Sequence, residues 1–509
     1  MKVAFRLDAT QQIGTGHFVR CLTIANRLKQ SGALTRFICY PLPQPLVDQL
    51  QRYGHEYYPL PVLAEDTCRD ERQFVPHGSW IPTNSDVDAK KTILALVGEH
   101  WDFLVVDHYA LDIEWESILR SYVKKIFVID DLADRNHDCD FLLDQNYYLD
   151  YEGRYQTKVP KKCRLLLGPK YCLLRDEFIG AHQERNSQPY KVKEILVFMG
   201  GVDLENYTMK VLKSLLLCNL NNCKINVVIG ESHPDLNGIL EVCHKHGFDC
   251  LIQTQKMANL ITSADLAIGA GGTAAWERCY LGLPTITIAV AENQKKLVQD
   301  AAAQGLVYSP DMNQDDFERS LANHIIAFKE NPSLRQLIAS RGQRAIDGFG
   351  ASRVADELYI QVKLRKATLD DLEVLYSWRN HLDVRSKSVN SEFISFDEHS
   401  KWFKKAIITP DRHILMAQKN DGTLVGMIRF DEYGAEAEIS IYVAPDLISQ
   451  GIGSRILKAG EDWIAENRRG IKGFRAKVLG VNSASLRLFQ KLGYKKYEST
   501  YIKEVKNEA

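Results

Sequence analysis

Apolar residues along this chain come in short runs that stop at glycine or acid, and between the runs they recur every three to four positions. Val3–Leu7 is one such run, and behind it Phe18, Leu22, Ala25 and Leu28 fall at i, i+4, i+7 and i+10. The continuous run reads as a buried strand and the spaced set as one face of a helix starting near Phe18. Phe103–Val106 closes on Asp107, and Ile126–Ile129 closes on Asp130 and Asp131. Short apolar strands alternating with amphipathic helices predict a parallel α/β layer over residues 1–185. After a polar linker around Asn186 to Lys193 the pattern restarts. Ile195–Met199, Ile225–Ile229, Leu266–Ile268 and Leu283–Val290 outline a second layer over residues 186–355. Open α/β sheets hold ligands beyond their strand ends, so two layers in tandem predict a site in the cleft between them.

Near Gln361 to Lys366 the character changes. Glu436–Val443 alternates as a half-buried strand does, and Gly451-Ile452-Gly453 opens a helix behind it. A strand at Phe474–Leu479 and a helix from Ser483 to Leu492 follow. This stretch has no cysteine but carries Trp378, Trp402 and Trp463, and reads as a third, α+β domain over residues 362–509. No internal repeat is visible.

Composition narrows the classes. At about one domain per 150 residues, 509 residues allow three or four domains, and 45% hydrophobic with 25% charged is ordinary for globular chains. A net charge of −1 gives no electrostatic reason to expect nucleic acid or an anionic membrane as partner. The 11 cysteines contain no Cys-x-x-Cys pair, which reads as reduced thiols without a disulfide frame or bound metal. Arg6 and Asp8 in the first strand argue against a signal peptide, and Glu277, Arg278 and Pro284 interrupt the most apolar stretch. A soluble cytoplasmic protein is the expectation, its oligomeric state left open.

Four segments carry candidate chemistry for the first two layers. Gly14-Thr15-Gly16-His17 joins a strand to a helix, where Gly14 and Gly16 let backbone approach an anion and His17 stands beside it. Val19 occupies the place of a third glycine, so this is not the dinucleotide fingerprint. Gly200-Gly201-x-Asp203 is a second strand-to-helix turn. Gly269-Ala270-Gly271-Gly272-Thr273 is the third and opens a helix suited to a diphosphate, with Thr273 as its cap and Glu277 placed to accept from a ribose diol. Glu292-Asn293-Gln294 is the fourth, with Asn293 and Gln294 able to hold sugar hydroxyls or acetamides. Asp8, Asp107 and Asp131 compete with His17 as bases. Asp107 and Asp131 read as turn and cap residues at strand ends, which leaves Asp8 to orient His17 or hold the sugar.

Together with Arg6-Leu-Asp8, Arg20-Cys-Leu, Asp130-Asp131 and Gly168-Pro-Lys-Tyr171-x-Leu-Leu-Arg175, these segments resemble one family over residues 1 to 350. It is the nucleotide-sugar hydrolase of pseudaminic acid biosynthesis, which cleaves UDP-2,4-diacetamido-2,4,6-trideoxy-β-L-altropyranose. The resemblance implies a fold of glycosyltransferase-B type, with two Rossmann-like domains. It also implies that the histidine of Gly-Thr-Gly-His activates the water that attacks the anomeric carbon, releasing UDP with inversion and without a metal. The residue types suit this: a diphosphate leaves readily, so the reaction needs a base for water and positive potential on the phosphates.

Ser449-Gln450-Gly451-Ile452-Gly453 and Asn482-x-x-Ser485-x-x-Leu488-Phe489-x-Lys491-Leu492-Gly493-Tyr494 resemble the GCN5-related N-acetyltransferase (GNAT) family over residues 362 to 505. By that resemblance Gly451, Ile452, Gly453 and Ser454 hold the pyrophosphate of acetyl-CoA. Tyr442 and Val443 lie on the strand that pairs with its pantetheine arm, and Asn482 and Ser485 contact the cofactor from the other side. Ile448 stands where the family usually has Arg or Gln, and Phe489 where a Tyr often serves as general acid. The proton donor is therefore unassigned, with Tyr494 and Tyr497 as candidates that also read as packing. Glu438 is the candidate base. Trp378, Arg379 and Asn380, with His399 and Trp402, resemble the substrate-side segment of the pseudaminic-pathway member. There Arg379 grips a diphosphate and Trp378 stacks on uracil or packs in the core.

The combined expectation is a bifunctional enzyme that acetylates a UDP-4-amino sugar and then removes UDP from the product. Three rivals stand beside it: a UDP-sugar glycosyltransferase with an accessory acetyl-CoA-binding domain, an enzyme of a related diamino-sugar pathway, since neither motif set reads the sugar's stereochemistry, and a nucleotide-sugar sensor without catalysis.

Overall fold

The computed structural model describes residues 1–10, 13–62, 77, 80–182, 191–220, 222–312, 314–358, 362–388, 390–419, 422–448, 452–479 and 482–495. Two compact units divide the chain, Met1–Ala355 and Asp356–Ala509.

The first unit holds two all-parallel sheets. One runs β1 (Lys2–Leu7), β2 (Leu34–Cys39), β3 (Glu56–Pro59), β4 (Trp101–Asp107), β5 (Val123–Ile129), β6 (Phe141–Asp144) and β7 (Arg164–Leu167), in the order β3-β2-β1-β4-β5-β6-β7. The other comprises β8 (Glu194–Phe198), β9 (Lys224–Ile229), β10 (Asp249–Ile252), β11 (Leu266–Ala270) and β12 (Thr285–Ile288), in the order β10-β9-β8-β11-β12. Strand order reverses beside β1 and beside β8, the two places where such sheets open a crevice at their C-terminal ends. This is the paired Rossmann-like arrangement of glycosyltransferase-B type expected from the sequence.

Local sequence accounts for the elements that frame the crevice. Phe18, Leu22, Ala25 and Leu28 are all buried on the helix Gly16–Gln30, each large side chain worth ~1.5–3 kcal/mol of burial. Lys29 and Arg27 sit in its last turn, where cations oppose the helix dipole. Cys172, Leu174 and Phe178 cluster with Leu196, Trp276 and Leu281, so the segment after β7 packs into the core of the second sheet.

In the second unit β13 (Lys363–Lys366), β14 (Arg412–Gln418), β15 (Leu424–Tyr433), β16 (Glu436–Val443) and β17 (Gly473–Ala476) follow one another in that order. All neighbours are antiparallel except β16 and β17, which run parallel. The helices Ile452–Asn467 and Ser483–Lys491 cover one face, burying Ile456, Leu457 and Phe489 against Ile428 and Ile439. The other face takes Leu375, Phe403 and Trp378 from the helices Leu372–Asn380 and Phe396–Ala406. Among the described residues no helix is long and apolar enough to cross a membrane, and no described cysteine is in a disulfide.

Candidate functional site

A cavity of about 200 Å³ lies between the two sheets of the first unit. Gly16, His17 and Asp131 line it from the first sheet's side, and Gly272, Thr273, Asn293 and Gln294 from the second's. Three helices begin there, Gly16–Gln30, Thr273–Tyr280 and Glu292–Ala303, and none has a side-chain cap. Their first N–H groups carry the positive ends of three helix dipoles, which favours an anionic ligand. Gly272 is the N-cap of its helix and Thr273 its first residue, so Thr273 is not the cap expected of it. Gln294 is braced, its Oε1 accepting from the Val290 N–H at 3.1 Å.

His17 is buried at the cavity wall, and its Nδ1 lies 2.6 Å from Asp107 Oδ1. Burial alone would raise the Asp107 carboxyl, but Arg20, with His17, holds it well below the usual carboxylate range. An ionised carboxylate only accepts hydrogen bonds, so Nδ1 donates to Asp107, and in the neutral ring the lone pair is then on Nε2. Nε2 has no hydrogen-bond partner among the described residues. The Tyr109 ring meets the imidazole edge-on at 4.7 Å, and Trp80 does so at 6.0 Å.

Here the expectation for Asp8 and Asp107 reverses. Asp8 is buried among other partners, ion-paired to Arg6 at 2.9 Å, 3.2 Å from His108 Nε2, and accepting from the Tyr40 N–H at 2.7 Å. The reason is topological. β1 and β4 are neighbours with Leu7 opposite Asp107, so the end of β4 reaches the start of the first helix. Asp107 is thus the partner of His17, not a turn residue.

Other expected contacts go elsewhere. Asp203 accepts from the Tyr207 and Thr208 N–H groups, at 2.9 and 2.7 Å, and so closes the start of the helix Tyr207–Leu216 instead of facing a ligand. Gly200 adopts φ +103°, which only glycine takes freely, and Gly201 presses on β9: a Cβ on Gly230 would sit 1.7 Å from the Gly201 carbonyl oxygen. Gly14 also has positive φ, +76°. Gly271 is a packing glycine, since a Cβ there would meet Val298 at 2.2 Å. Glu277 is buried, and burial raises its carboxyl despite Arg175 at 3.2 Å; it faces Arg175, not the cavity. Residues the sequence left without a role also enter. Trp80, Tyr109, Asn146 and Tyr148 line the cavity, and Asn146 joins the two sheets by accepting from Trp276 Nε1 at 2.9 Å.

In the second unit β16 and β17 pair from Glu436↔Gly473 to Ile439↔Ala476 and then part. Beyond that point, among the described residues, Ser440 to Val443 pair with β15 alone, so the strand carrying Tyr442 and Val443 offers its other edge to an extended amide chain. Gly451 lies outside the described residues. Ile452 is buried in the core. A Cβ on Gly453 would make ordinary contact with Leu488 and Val443. Ser454 donates to Asp356 at 2.9 Å, and Asn482 caps the helix Ser483–Lys491 by accepting from the Ser485 N–H at 3.1 Å. Asn482 also donates to the Lys387 carbonyl at 3.2 Å, so its amide is engaged within the protein instead of being free for a cofactor.

On the opposite face Asn380 braces the chain by accepting from and donating to Ile394, at 3.0 and 2.9 Å. It is a structural clamp, not a free substrate contact. Trp378 packs edge-on to Tyr442 at 6.4 Å. Arg379 donates to the Asn390 carbonyl at 2.7 Å, while its buried Nη1 has no partner among the described residues. Burial pushes the Tyr442 hydroxyl up, opposed by Arg379 and by Arg429, a cation that no motif in the chain singles out. The Nδ1 of His399 is buried without a hydrogen-bond partner among the described residues. Glu438 lies between Lys477, at 3.2 Å, and Arg475, at 3.4 Å. Tyr494 donates to Glu461 at 2.6 Å, and Tyr497 lies outside the described residues.

Residues 372–494 match the acetyltransferase (GNAT) family. The second unit carries a GNAT domain. An uncharacterized protein of Methanocaldococcus jannaschii is 23% identical over 529 aligned positions, covering 99% of this chain and all of that protein. The UDP-2,4-diacetamido-2,4,6-trideoxy-β-L-altropyranose hydrolase of Campylobacter jejuni is 26% identical over 310 residues, 60% of this chain and 97% of its own length. Among solved structures, MurG of Acinetobacter baumannii covers 70% of this chain and 99% of its own at 12% identity, with a TM-score of 0.48.

Proposed function

We propose that this GNAT-containing chain is a bifunctional enzyme of nucleotide-sugar metabolism. Its second unit transfers an acetyl group from acetyl-CoA to the 4-amino group of UDP-4-amino-4,6-dideoxy-N-acetyl-β-L-altrosamine. Its first unit then hydrolyses the product, UDP-2,4-diacetamido-2,4,6-trideoxy-β-L-altropyranose, to UDP and the free sugar. The observation that carries the reading is the His17–Asp107 pair at the wall of a cavity whose other wall is two uncapped helix starts.

In the first unit Asp107 fixes the imidazole so that Nε2 faces the cavity. Nε2 takes a proton from water as the water oxygen bonds to C1 of the sugar, and the C1–O bond to the diphosphate breaks with inversion. The N–H groups at Thr273 and Asn293 meet the charge that grows on the departing diphosphate. In the second unit the free edge of β16 at Tyr442 and Val443 suits the amides of acetyl-CoA, which when bound supplies an activated acetyl thioester. Arg379, with its unpartnered Nη1, would hold the nucleotide diphosphate, Trp378 would flank the base, and Glu438 would receive the proton of the amine. Joining successive steps in one chain raises the local concentration of the intermediate.

Mass spectrometry of the intact protein with the UDP-4-amino sugar tests both steps. With acetyl-CoA the substrate should gain one acetyl group and then lose UDP. His17→Ala should keep the acetyl gain and slow UDP release by about a hundredfold or more. Undiminished UDP release in that variant would remove His17 from the chemistry.

A further inference from the structure

We infer that Arg20 is a positioning residue which, by clamping Asp107 and Asp131, sets the pH range in which His17 works as a base. The inference rests on the hydrolase reading above.

A buried carboxylate against an imidazole favours the protonated ring, and a ring that stays protonated cannot take a proton from water. Asp107 is fully buried, so nothing but protein offsets its charge. Arg20 does so with a fork: Nε donates to Oδ2 and Nη2 to Oδ1, each at 2.6 Å. The Cys21 thiol donates to Oδ2 at 3.4 Å. The remaining nitrogen of Arg20, Nη1, donates to Asp131 Oδ2 at 3.0 Å, and the other oxygen of Asp131 accepts from the Tyr109 hydroxyl at 2.5 Å. Arg20 is therefore shared between two carboxylates, one of which touches His17, and its Nη2 also lies 3.1 Å from the His17 Nδ1, so the cation opposes a charge on the ring directly as well as through Asp107. His17 and Arg20 are three residues apart on one helix face, which is why both reach the end of β4.

The other charged or titratable groups around the ring are Tyr109 and His108, beyond β4, and His77. None of these forks onto Asp107. Removing Arg20 leaves Asp107 and Asp131 unopposed and favours the protonated imidazole. Removing the charge of Asp131 leaves Arg20 to Asp107 alone and favours the neutral one. The two changes push in opposite directions, which loss of packing cannot imitate.

The test is the pH profile of kcat/KM for UDP release by the intact protein and by Arg20→Met, Arg20→Lys and Asp131→Asn. Arg20→Met should move the acid limb to higher pH by about one unit, and Asp131→Asn should move it to lower pH. Arg20→Lys keeps the charge but loses the fork, so its limb should stay while kcat falls. Reduced rates with unmoved limbs in Arg20→Met and Asp131→Asn would overturn the inference and leave Arg20 a packing residue. If Arg20→Met does not fold, Asp131→Asn decides by the same limb. If the parent protein releases no UDP, the hydrolase reading fails by itself. The imidazole titration of His17, followed by NMR of histidine-labelled parent and Asp131→Asn, then reads the inference directly, and coincident curves overturn it.

Discussion

Asp144 ends β6 with its carboxyl buried beside Asp131 and Asp130, and burial, reinforced by the Asp131 charge, pushes it up to about 8. The Tyr155 hydroxyl lies 2.9 Å from the Asp130 carbonyl and 3.1 Å from Asp144 Oδ2. Arg154, with Nη2 3.6 Å from the same oxygen, opposes the rise without cancelling it. An unfolded aspartate titrates near ~3.9. Between that pH and about 8 the native state binds more protons than the unfolded one, so this group makes stability fall as pH rises, with no further change above 8. Asp144→Asn should therefore melt like the parent near pH 4 and above it at pH 8.5, by roughly 5 °C. Thermal melts across that range check it, and parallel curves for the two proteins would refute the assignment. Asp107 is the opposite case, held charged by Arg20. Asp107→Asn, which frees the imidazole to turn, should lower kcat for UDP release by at least about tenfold with little change in KM.

At the scale of elements, glycines divide into those that pack and those that leave room. A Cβ on Gly230 would sit 1.7 Å from the backbone oxygen of Gly201, with no flexible side chain to give way. Gly230→Ala should cost ~1–3 kcal/mol, as overpacking does, measured by urea unfolding. Gly272 is open, its nearest neighbour being Gln294 Nε2 at 3.8 Å. Gly272→Ala should leave stability within ~1 kcal/mol and weaken UDP binding, because the added methyl lies at the helix start that faces the cavity. Titration calorimetry with UDP separates the two. Equal stability losses in both variants would contradict the division.

For the whole molecule, two compact units with separate cores predict separate ligand responses. A ligand protects what it binds in proportion to its saturation, about 2.7 kcal/mol at a hundred times Kd. UDP should slow hydrogen exchange in the helices Gly16–Gln30, Thr273–Tyr280 and Glu292–Ala303. Acetyl-CoA should slow it in β16 and in the helix Ile452–Asn467. Exchange mass spectrometry of the full chain with each ligand in turn reads this directly, and protection by acetyl-CoA within residues 1–355 would contradict it.

The sequence by itself determined the strands, the helices behind them and the places where glycine breaks the run, because these follow from the 2.0 and 3.6 residue periods of neighbours along the chain. It thereby brought Gly16, His17, Gly272, Thr273, Asn293 and Gln294 to one cavity wall or the other. Tertiary structure alone decided which acid serves His17. Asp8 is nine residues away and Asp107 ninety, yet the strand order places the distant one against the imidazole. It also turned Asp203, Asn380 and Asn482 inward to cap or brace. A polar side chain bonds to whichever backbone group folding leaves unpaired beside it, and no local pattern records which group that will be.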